Sequence, residues 1–107
     1  MASRLKLHEE FIDILGTKKE KVTRVYFQPP ASLRMEYPCI KYSLSGIDIK
    51  RADNIAYNCT NQYQVTVIDP DPDSVIPSQL IERFPMIRFD RPYTADNLNH
   101  YVFTLYY

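Results

Sequence analysis

Glycine is almost missing from this chain: Gly16 and Gly46 are the two examples in 107 residues. That scarcity excludes a glycine-rich loop of the kind that cradles phosphates. It also leaves the turns to Asn, Asp and the eight prolines. Tryptophan is absent, and Cys39 and Cys59 are the whole cysteine complement. With His8 and His100 they show none of the close C-x-x-C or H-x-x-x-H pairing that a zinc site uses. No stretch approaches the roughly 18 apolar residues of a membrane span, and MASRLKLHEEF lacks the apolar core of a secretion signal. The chain is therefore expected to be made in the cytosol, with both thiols free. Net charge is zero, so the basic stripe expected of a nucleic-acid-binding accessory factor is not seen.

What remains is ordinary globular material. Apolar residues make up 45% and charged residues 24%, which suits one domain over residues 1–107 and argues against wholesale disorder. A chain of this size buries roughly 60–70% of its unfolded surface, enough for one core. Nine tyrosines favour half-buried sheet faces and subunit contacts, where an apolar ring and a polar tip are both used. Charge is unevenly spread. Residues 1–51 carry ten Lys/Arg against six Asp/Glu, and residues 52–107 carry three against seven. Such halves can pair within one fold or head to tail between identical chains.

Leu7, Phe11, Ile12 and Leu15 recur at helical spacing, with Ser3 placed to cap and Gly16 to stop an amphipathic helix over 3–15. Residues 22–28, 39–45, 62–69, 86–90 and 100–107 read as strands, and Pro77 opens a short helix ending near Phe84. Between the second and third strands lie sixteen residues, 46–61, which are either extensions of both strands or a mobile arm. The expected fold is a small α+β domain: a mixed or mostly antiparallel sheet of about five strands with two helices packed on one face.

The chemistry-bearing groups do not assemble into a catalytic frame. Asp69, Asp71 and Asp73 alternate like calcium ligands. The sixth and twelfth places counted from Asp69 hold Ser74 and Leu80, however, where an EF-hand needs Gly and Glu. They read instead as turn and cap residues. No nucleophile elbow or paired carboxylates are recognisable, so no enzyme, metal or cofactor is expected, and a small hydrolase is the weaker alternative. In residues 93–100, Asp96, Asn97 and Asn99 can bond their own backbone and shape a rigid connection with a helical turn in it. The strand that follows is apolar on both faces, as for a central strand or one covered by a neighbour.

The ordered blocks YFQPP, YPCIKY, YQVTVIDPDPDS and FDRPYTADNLNH, spread over residues 22–107, resemble the tail terminator or tail completion proteins of tailed bacteriophages. The chain departs from that pattern at Tyr101, where an acidic residue often follows NLNH. The resemblance implies a small structural protein that forms a ring, typically a hexamer, at the head-proximal end of the tail tube. Such a ring stops tube polymerisation and offers a surface to the head-completion proteins of the connector. A head-closure or neck protein, one ring further up, is the alternative. On this reading the contact residues are Lys50, Arg51 and Asp53 in the 46–61 segment, and Tyr93, Asp96, Asn97, Asn99 and His100 in the later connection.

Overall fold

The computed structural model describes residues 4–21, 23–52 and 55–107. Its elements run α1 (Arg4–Leu15), β1 (Val25–Phe27), β2 (Cys39–Ala52), β3 (Ile55–Asp69), α2 (Ile76–Arg83), β4 (Ile87–Ala95) and β5 (Leu98–Tyr106). The strands form one sheet in the order β1-β2-β3-β5-β4, parallel between β1 and β2 and antiparallel elsewhere. This is the α+β domain with a five-stranded mixed sheet and two helices expected from the pattern.

Helix α1 stops where Gly16 takes φ +70°, a conformation that costs glycine little, and the Gly16 and Thr17 amides both donate to the Ile12 carbonyl. Ser3, the expected cap, lies outside the described residues. Helix α2 carries Pro in its first turn, where no amide partner is lost, and the Ile76 amide donates to Ser74 Oγ at 3.3 Å. The aspartates before it form successive Asx turns, with the Asp71 amide on Asp69 Oδ1 and the Asp73 amide on Asp71 Oδ1, each at 2.9 Å.

Strand alternation puts Val25, Ile40, Tyr42, Tyr63, Val65, Val67, Phe103 and Leu105 on one face, where they meet Leu7, Phe11, Ile76, Leu80 and Phe84 from the helices. Tyr42 stands at the centre of this core. Its ring lies 5.0 Å from Phe11, 4.9 Å from Phe27 and 5.8 Å from Tyr63. The opposite face buries Cys39, Thr66, Ile68, Val102 and Thr104. Burial pushes the Cys39 thiol up to about 12, so it behaves as a small apolar side chain.

Several expectations are corrected. The first strand, expected over 22–28, is confined to Val25–Phe27 because Arg24 and Gln28 adopt positive φ. Val22 lies outside the described residues. Of the two readings of the 46–61 segment, the structure takes the first: β2 and β3 continue into it as paired strands, from Gly46↔Gln62 to Ala52↔Ile55, with shifts at Leu44/Gly46 and Lys50/Arg51. The connection at 93–100 contains no helical turn. Strand β4 runs on to Ala95, and a two-residue turn at Asp96 and Asn97 (φ 52° and 62°) returns the chain into β5. Two successive positive φ values are the signature of a type I′ hairpin, and Asp and Asn tolerate them better than other non-glycine residues. Strand β5 is interior, lying between β3 and β4, which accounts for its two apolar faces.

Helix α1 is also tied to the sheet by polar contacts. Arg4 donates to Tyr42 Oη at 3.3 Å, and that hydroxyl is also hydrogen-bonded to His8 Nδ1 at 2.7 Å. Burial, and next the Arg4 charge, hold the His8 pKa below its ordinary value. The unfolded chain therefore binds more protons than the folded one just below pH ~6.5. The stability that His8 contributes is fully present above that value and is lost as pH falls through the lowered folded value. Urea midpoints of the wild type should fall between about pH 7 and 5, and the slope should be shallower in His8→Gln. Equal slopes would refute the assignment.

Candidate functional site

Residues 46–52 and 55–61 form a two-stranded ribbon that leaves the body of the sheet. Strand β1 pairs with β2 only at Ile40–Tyr42 partners, and β5 covers β3 only from Gln62 onward. Beyond those points both outer edges of the ribbon lack a neighbouring strand among the described residues. The described molecule is accordingly elongated, 51 × 29 × 29 Å. An isolated two-stranded ribbon is marginal in water by itself, and open edges are templates for another chain.

The ribbon extends the apolar face of the sheet past the reach of the helices. Leu44, Ile47 and Ile49 sit on that face and are 43%, 51% and 44% exposed. Asp48 and Lys50 occupy the opposite face, and Arg51 follows at the distal register shift. Lys50 and Arg51 are exposed, and among the described residues neither makes an ion pair. Asp53 lies outside the described residues.

The second group of expected residues lies elsewhere. Tyr93 and His100 face each other across β4 and β5, their rings stacked with centroids 4.4 Å apart and an interplanar angle of 16°. Arg91 sits 5.8 Å from the Tyr93 ring centroid. His100 Nδ1 donates to the Leu98 carbonyl at 3.1 Å. Asn99 Nδ2 donates to the Asp69 and Pro70 carbonyls at 3.3 and 3.4 Å, and the Tyr101 hydroxyl donates to the Pro72 carbonyl at 3.2 Å. These bonds fasten the Asp-Pro loop to the start of β5. Asp96 and Asn97 remain exposed at the turn.

Register separates the two groups. Lys50 pairs with Asn58, whereas Asn99 pairs with Asp69 at the far end of the same β3 strand. At ~3.3 Å per residue they stand about 35 Å apart. The fold thus brings Tyr93, Asp96, Asn97, Asn99 and His100 together at one pole and sets Lys50 and Arg51 at the other.

The edges are managed unequally. Strand β4, one flank of the sheet, is bulged at Phe89/Arg91 and carries Pro92 and exposed charges. Asp90 folds back over β5: Thr104 Oγ1 donates to it at 2.6 Å and Arg88 Nε at 3.0 Å. The Thr104 hydrogen bond, foremost, holds the Asp90 carboxyl below its ordinary pKa. The exposed side chains Ile47 and Ile49 are the residues that sequence reasoning missed. Their signal was the alternation in GIDIK, which resumes the pattern of Ile40, Tyr42 and Leu44 after a one-residue slip that the structure takes up in the shift at Leu44/Gly46.

Among the described residues, no group of three or more His, Cys, Asp or Glu is placed to hold a metal ion. No described helix is long and apolar enough to cross a membrane. No protein-family model matches the chain, and the search of curated proteins finds no match.

Proposed function

We propose that this chain is a structural assembly protein of a phage virion: a ring-forming tail terminator that caps the tail tube, stops its polymerisation and presents a surface to the head connector. The ordered blocks over residues 22–107 supply the phage setting. The observation that carries an assembly role is the projecting ribbon, with exposed Ile47 and Ile49 and, among the described residues, open edges and no ion-pair partner for Lys50 or Arg51. Its mechanism is geometric and involves no covalent step. Each subunit offers the ribbon to a ring neighbour and the Tyr93–His100 pole to the tube or the connector. Heterologous contacts of this kind close into a ring when the rotation between copies permits.

The test is electron microscopy of particles assembled without the protein. Tails of uncontrolled length that fail to join heads are expected. Tails of normal length beside heads that leak DNA would place it in the neck instead. Wild-type particles would refute both.

A further inference from the structure

The face of the sheet opposite the helices carries Lys41 and Ser43 on β2 and Gln64 and Thr66 on β3. The pairs Lys41↔Thr66 and Ser43↔Gln64 are in register, so the four side chains stand at the corners of one small rectangle. Its sides are about 4.5–5.5 Å across the strands and ~6.6 Å along them. Thr66, 4% exposed, forms the floor. Just past β1, Gln28 turns to φ 46° and closes one flank together with Pro29. Its Oε1 accepts the Leu44 amide at 3.2 Å, which leaves Nε2 to donate elsewhere. Together these residues line most of a cavity of about 280 Å³, at the low end of the range for small-molecule sites.

The lining is one-sided in its chemistry. Lys41 brings a cation, Ser43 and Thr66 bring hydroxyls, and Gln28 and Gln64 bring amide groups. Among the described residues, no carboxylate lines the cavity. The side chains of Lys41, Ser43, Gln64 and Thr66 make no hydrogen bond or ion pair to another described residue. A buried hydroxyl beside a partly buried ammonium, both without an acceptor, is costly until an acceptor arrives. The positive φ of Gln28 is a second cost, of the kind that gathers at ligand sites. We propose that this cavity binds the phosphate group of a small ligand. Lys41 supplies the charge, and the hydroxyls and amides bond the oxygens. The donors converge from the corners of a rectangle and from one flank, which suits a tetrahedral oxyanion with oxygens in several directions. A planar carboxylate is matched best by a planar fork, which this site lacks. The cavity lies outside both the ribbon and the Tyr93–His100 pole, so it stands independently of the assembly role.

The test is titration of the purified 107-residue protein with inorganic phosphate at constant ionic strength, followed through backbone amide NMR signals. Saturable shifts are expected at Lys41, Ser43, Gln64 and Thr66, with Lys50 and Arg51 unmoved. Lys41→Met should weaken binding about 10-fold or more, since a charge-assisted contact is lost. Thr66→Val and Ser43→Ala, which each remove one hydroxyl, should weaken it about 5-fold. Lys50→Met removes the same charge from the ribbon and should leave binding unchanged. Circular dichroism and thermal midpoints separate lost binding from lost folding, and Ser43→Ala is the mildest variant should Lys41→Met not fold. Shifts that never saturate, that chloride reproduces at equal ionic strength, or that survive Lys41→Met would overturn the proposal. A single-stranded oligothymidylate that binds this face more tightly than phosphate does would assign it to nucleic acid and overturn the small-ligand site.

Discussion

Tyr42→Ala is expected to cost about 3–5 kcal/mol, the range for removing a large buried aromatic. A domain of this size is worth only about 5–15 kcal/mol in all, so the variant should be close to unfolding at room temperature. Tyr42 is 1% exposed and touches both layers of the domain. Its ring packs on Phe11 of α1, on Phe27 of β1 and on Tyr63 of β3, and its hydroxyl joins Arg4 to His8. Truncation leaves a cavity between helix and sheet and strips two polar groups of a partner. Tyr42→Phe keeps the ring and removes only the hydroxyl, so it should cost about 1 kcal/mol. Urea denaturation of the two variants separates packing from hydrogen bonding. A loss below about 1 kcal/mol in Tyr42→Ala would mean that α1 is not anchored by this residue.

Removal of the ribbon should have the opposite profile. Among the described residues, none of the buried core lies within 46–61. Replacing those residues by a short Asn-Gly turn should therefore leave a folded domain whose thermal midpoint moves by only a few degrees. Assembly should fail completely, giving the same uncontrolled, unattached tails as the deletion. An unfolded product would show that the ribbon supports the core. A folded product that still supports normal phage assembly would remove the ribbon from the mechanism.

How far the sequence could be read depended on whether a feature was local. The first helix was legible because Leu7, Phe11 and Leu15 keep one face and Gly16 can only be a terminator of that run. The Asp-Pro stretch was legible because Asx turns join a side chain to its own backbone two residues on. The first strand was misread because its length depends on Arg24 and Gln28 turning to positive φ. That conformation goes with long-range bonds from the Ile40 amide to the Arg24 carbonyl and from the Gln28 amide to the Tyr42 carbonyl. The Asp96–Asn97 hairpin was missed because it uses no glycine, the residue that usually marks such a turn.

The candidate interface was half legible. Lys50, Arg51 and the polar turn residues stood out by type, but Ile47 and Ile49 did not. An alternating strand looks the same in sequence whether its apolar side is roofed by the chain's own helices or by nothing. Only the end of the helical layer near Leu44 decides which residues are left bare.

The blunted margin of β4 has a consequence for how copies can accumulate. Its kink, its imino residue and its charges make that border a poor nucleus for a passing strand. Sheet-to-sheet stacking of strands along that border is thereby discouraged.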